Sequence, residues 1–126
     1  MKCIIPMSPE EWIRGTFWAS LQALALDPET QLGLYPDGCE KVDELANDFG
    51  LHWERYKQWF GRELTATQIA NVVKIDSWLS EMSGKTELWT ETALRQSSEW
   101  QETRRLASVA LLMLGWTQET PDKKWF

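Results

Sequence analysis

The chain has 126 residues, enough for one domain that buries roughly two-thirds of the surface its unfolded form exposes. Hydrophobic residues at 43% and charged residues at 25% are globular proportions, which exclude a wholly disordered chain and carry no membrane-protein signature. A net charge of −6 and a pI near 4.8 oppose phosphate backbones and anionic lipid, leaving other proteins as the expected partners.

Met1 to Pro6 hold too short an apolar run for a signal peptide, and no stretch reaches transmembrane length. A cytoplasmic protein without a membrane partner is therefore expected. Ser8-Pro9-Glu10-Glu11 sets a capping serine before a proline at the first helical position. The first helix is predicted over residues 9–26, with Ile13, Phe17, Leu21 and Leu24 on its buried face and Trp12, Trp18 and Ala25 beside them. Asp27-Pro28 closes it, because the residue before proline is pushed out of the helical region. Residues 27–38, with their prolines, glycines and Pro36-Asp37-Gly38 turn, read as a loop with room for a short strand over 31–35.

The strongest periodicity follows: Val42, Leu45, Phe49, Trp53, Tyr56 and Phe60 recur every three or four residues, predicting a helix over 39–60. Gly50 costs about 1 kcal/mol relative to alanine there, but the apolar pattern keeps its phase across it. Gly61 ends that helix. Thr65 caps the next, over 66–83, with Ile69, Val72, Val73, Ile75, Leu79 and Met82 as its stripe. A shorter helix capped by Thr86 is predicted over 87–96, packing Leu88, Trp89, Ala93 and Leu94. Ser97 and Ser98 offer a further cap, with Ser98 and Gln101 at capping-box spacing, before a helix over 99–114. Leu111, Leu112 and Leu114 join Leu106, Val109, Ala110 and Met113 to make its second half apolar nearly all round, which predicts deep burial. After Gly115, residues 116–126 either fray or fold back as a hairpin turning at Pro121-Asp122-Lys123-Lys124, and Trp125 and Phe126 favour docking. The predicted fold is all-α, a single-domain bundle of four to five helices with a short C-terminal β-hairpin as the open alternative.

Chemical motifs are scarce. Glu40, Glu44, Asp48 and His52 recur every four residues, but one histidine without a Glu-x-x-His partner suits a solvated acidic face better than a metal. His52 is also the only histidine a nucleophile could use, and no serine, cysteine or carboxylate pair is marked out beside it. No cofactor, no metal and no enzymatic activity are expected. Cys3 and Cys39 lack a C-x-x-C partner and read as packed thiols, with a bond between them left open.

Nine tryptophans set the chain apart. Trp12, Trp53, Trp59 and Trp78 fall on or beside apolar stripes, whereas Trp89, Trp100, Trp116 and Trp125 are less committed to a core. Residues 95–126 carry net +1, against −7 before them. Tryptophan and arginine are enriched at interface hot spots, so Trp100, Arg104, Arg105, Trp116 and Trp125 form the expected interaction surface. The expected function is protein–protein interaction or self-association.

The order of elements in this third suggests an alternative. A helix from Thr65, a short helix from Thr86, a turn at Ser97-Ser98, a helix carrying Arg104-Arg105, then Leu114-Gly115-Trp116 and a hairpin resembles winged helix-turn-helix DNA-binding domains. The likeness spans less than half the chain. It implies that Gln101, Arg104 and Arg105 read or position DNA, and that Lys123 and Lys124 sit on the wing.

Overall fold

The computed structural model describes residues 7–126. Helix α1 (Pro9–Ala25) starts where Ser8 Oγ accepts the Glu11 N–H at 3.2 Å and Pro9 lacks the donor that would otherwise be orphaned. The next segment is not a loop or a strand but a short helix, α2 (Pro28–Gly33). Asp27-Pro28, which ends α1, also opens α2: the Asp27 carboxylate accepts the Thr30 N–H at 3.0 Å, and Pro28 takes the first helical position.

Helix α3 (Lys41–Phe60) buries all six residues of the predicted stripe, Val42 through Phe60. After a 3-10 turn (Gly61–Glu63), α4 (Ala66–Met82) begins on a full capping box, with Thr65 and Gln68 each satisfying the other's backbone N–H. The single helix predicted over 87–96 is two pieces: a 3-10 turn (Thr86–Leu88), then α5 (Glu91–Gln96) capped by Thr90 rather than Thr86. The break has a cause. The Leu88 carbonyl accepts the Trp100 indole N–H at 2.7 Å, and the Trp89 indole donates back to Met82 at 2.9 Å. Helix α6 (Ser98–Leu114) is capped by Ser97, the first of the two serines, whose Oγ accepts the Trp100 N–H. It ends on left-handed Gly115 (φ +74°), where Trp116 N–H bonds Leu111 O and Gly115 N–H bonds Leu112 O.

The four long helices alternate up and down. Phe17 of α1, wholly buried, meets Phe49, Trp53 and Tyr56 of α3 at ring-centroid distances of 4.4–6.3 Å. Antiparallel α4 and α6 are tied at one end by Gln68 Nε2 donating to Met113 O at 3.0 Å. A continuous core runs from Ile13 to Leu111.

Two expectations fail at the end of the chain. The second half of α6 is not deeply buried: Thr103, Ala107, Ala110 and Leu111 face inward, whereas Leu112 is 72% and Met113 41% exposed. Small side chains let α6 approach its neighbours closely, so the bulky ones on other faces stay outside. The hairpin is also absent, and no strand occurs among the described residues. Residues 116–126 instead cross α1 and α2 as an irregular strap ending in a 3-10 turn (Lys123–Trp125). Side-chain amides of Gln22 and Gln118 bond main-chain groups across it, and Pro121 has no N–H to give a ladder. Trp125 and Phe126 dock as expected, Phe126 edge-on to Tyr35 at 5.2 Å.

Candidate interaction surface

The residues singled out in sequence do not converge. Trp100 is wholly buried beneath Trp89, their rings edge to face at 5.5 Å, so it offers no surface. Arg104 turns inward, its Nη1 donating to Leu94 O at 3.2 Å and Gln31 Oε1 at 3.4 Å, and burial lowers its pKa from the usual guanidinium value. Trp116 packs against Phe17 and Tyr56, and Trp125 lies on α1 at Gly15. Gln101 and Arg105 are exposed on α6, while Lys123 and Lys124 are exposed on the strap's final turn. Lys123 borders α2 and Arg105 borders α4, on different sides of the molecule. Without a hairpin, and with Arg104 committed to internal carbonyls, the geometry does not assemble the DNA-contact set that the winged-helix likeness implies.

The acidic ridge on α3 is likewise divided. Asp48 accepts the Tyr35 hydroxyl at 2.7 Å, and burial, with Asp48 adding to it, pushes the Tyr35 pKa above its ordinary value. His52 sits edge-on to Trp12 at 5.7 Å with a buried, unpartnered Nδ1, and Arg55 lies 5.0 Å over the Trp12 ring. Among the described residues no three His, Cys, Asp or Glu side chains converge as metal ligands. Cys39 is exposed rather than packed, while Cys3 and the Met1–Pro6 stretch lie outside the described residues. No helix among the described residues is long and apolar enough to cross a membrane.

What the structure does assemble is a groove of about 450 Å³ between α4 and α6. Its apolar lining comes from Val73 and Trp78 on α4 and Leu106 and Val109 on α6. Each is placed by helical spacing: Val73 follows the buried Val72 by one residue, and Leu106 and Val109 flank the buried Ala107 and Ala110. Trp78 is fixed by its indole N–H donating to Glu99 O at 3.1 Å. Lys74, Arg105, Glu81 and Glu102 form the rim. Arg105 and Glu102 make a two-pronged ion pair at 2.6 and 2.8 Å, which places positive and negative charge side by side. Toward the end of α6, the exposed Leu112 and Met113 add bulk on the same pair of helices, where Val73 is 42% exposed. Of the sequence candidates, Arg105 alone belongs to this surface.

No protein-family description matches the chain, and no similar curated protein or solved structure is found.

Proposed function

We propose that this chain is a non-enzymatic cytoplasmic interaction module that self-associates through the α4/α6 face. The observation that carries the reading is Leu112, which leaves a well-capped, well-packed helix with nearly three-quarters of its side chain in water. Met113 and Val73 are exposed on the same two helices, and the apolar groove lies between them. A second copy is the partner whose chemistry fits. The rim carries Lys74 and Arg105 together with Glu81 and Glu102, so two identical faces meet without net repulsion there although the chain as a whole carries −6.

Each large aliphatic side chain withdrawn from water contributes about 1.5–3 kcal/mol, and association costs at least about 4 kcal/mol in lost freedom of motion. Leu112, Met113 and Val73 of two copies, each already partly covered, amount to about three such side chains and support a weak dimer. Sedimentation equilibrium over a wide concentration range tests this, with the unaltered chain dimerising at micromolar to submillimolar levels and Leu112→Glu remaining monomeric. Identical monomeric behaviour of both chains throughout that range refutes the proposal.

A further inference from the structure

The strap formed by residues 116–126 is neither helix nor sheet, yet α1 and α2 hold it as a groove holds a peptide. Gln22 of α1 is wholly buried; its Nε2 donates to Thr117 O at 2.7 Å and its Oε1 accepts the Glu119 N–H at 2.8 Å. One side-chain amide thereby recognises two main-chain groups of an extended segment, independently of the side chains it carries. Further along, Trp125 lies over Gly15, the one residue of α1 that leaves a notch for it. A Cβ at Gly15 would run into Cη2 and stand 2.8 and 2.9 Å from Cζ3 and Cζ2 of that ring.

Between these anchors the strap touches the helices through the buried Pro121. The bend from Thr120 to Lys123 borders a cavity of about 470 Å³, with Thr30, Gly33 and Leu34 on the opposite wall. Gly115, in the left-handed region, is the pivot by which the strap leaves α6.

We infer that the α1/α2 face beneath the strap is a binding groove for an extended peptide with an aromatic anchor, and that the 116–126 segment of a second copy takes the place of the resident strap. The groove's chemistry selects this occupant. Departure of the strap uncovers the Gln22 amide to water and leaves its donor and acceptor free to pair with the main chain of another extended segment. The Gly15 notch suits a flat ring, and the 116–126 segment of another copy supplies the Thr117 and Glu119 main-chain groups and the Trp125 ring at matching spacing. The short tether through Gly115 gives the resident strap a high effective concentration, so it prevails until weakened or outnumbered. This exchange uses a face different from α4/α6 and stands apart from the dimer proposed there.

The test uses a labelled peptide spanning residues 116–126 and the full chain carrying Leu112→Glu, so that association through α6 does not interfere. Fluorescence anisotropy should show the peptide binding at least about tenfold more tightly when Trp125→Ala is added, since the resident strap then competes less well. Adding Gly15→Ala to that double variant should abolish binding, and a scrambled peptide should not bind. No binding to the Trp125→Ala chain, or binding indifferent to Gly15→Ala or to scrambling, overturns the inference. If Trp125→Ala does not fold by circular dichroism, amide exchange in the unaltered chain decides. Excess peptide should accelerate exchange of the Glu119 N–H, and unchanged exchange overturns the proposal.

Discussion

Replacing Gly15 by alanine sets two opposing effects against each other at one position. Within a 17-residue helix the added methyl should stabilise by about 1 kcal/mol, because glycine loses the most backbone freedom on folding. The same methyl occupies the space where the Trp125 ring lies, and the helix backbone cannot yield, so the ring must lift. A fully buried tryptophan removes up to about 200 Å² from water, and Trp125 is half-buried. At about 25 cal/mol per Å², displacing it costs about 2–3 kcal/mol as an upper bound. The net expectation is a destabilisation of about 1–2 kcal/mol, with the loss confined to the strap. Urea denaturation followed by far-UV circular dichroism gives the net term, and the Trp125 indole N–H resonance reports the ring. A chain stabilised by about 1 kcal/mol with an unshifted Trp125 resonance refutes the argument.

Gln22→Leu should destabilise by about 1–3 kcal/mol, since the Thr117 carbonyl and Glu119 N–H lose their shared partner, and exchange of the Glu119 amide should rise with it. Trp100→Phe removes the donor to the Leu88 carbonyl and part of a fully buried ring; a loss of about 2–3 kcal/mol in a thermal or urea melt is expected, without change in self-association. His52 gives a pH signature. Burial, reinforced by Arg55 and opposed by Asp48, holds its pKa below the ordinary value, so the folded chain binds the proton less well than the unfolded chain. The stability this provides is complete above about pH 6.5 and is lost as acidification proceeds from there through the lower folded pKa. Urea midpoints should therefore fall between about pH 7 and pH 5.5 in the unaltered chain and fall less in His52→Gln; equal slopes contradict the assignment.

The parts of the fold legible in sequence are those where a local signal and a tertiary demand agree. The α3 stripe is buried residue for residue because a three-four spacing leaves only one face for the core. Asp27-Pro28 was ambiguous for a physical reason: the pair that forbids continuation of one helix is also a good beginning for the next. In α6, bulk is a poor guide to burial, because packing against the neighbouring helices selects Thr103, Ala107 and Ala110 and leaves Leu112 and Met113 outside. Trp100 reads as a surface residue because Glu99, Gln101 and Glu102 surround it in sequence, whereas the Leu88 carbonyl, twelve residues away, receives its indole N–H in the core, and of the α4/α6 groove only Arg105 carries a sequence signal. Gln22 carries no readable signal and Gly15 only a weak one, since the groups that explain them lie far off in the chain, at Thr117, Glu119 and Trp125. A glycine inside a good helix, lacking any turn role, is the one hint that something approaches closely.

The meeting of two copies through α4 and α6 is tested most directly by isotope-filtered nuclear Overhauser spectroscopy on a mixture of labelled and unlabelled chains. Intermolecular contacts should appear at the methyl groups of Val73, Val109, Leu112 and Met113 and vanish in Leu112→Glu. A spectrum without intermolecular contacts at submillimolar concentration, or one whose contacts avoid α4 and α6, contradicts it.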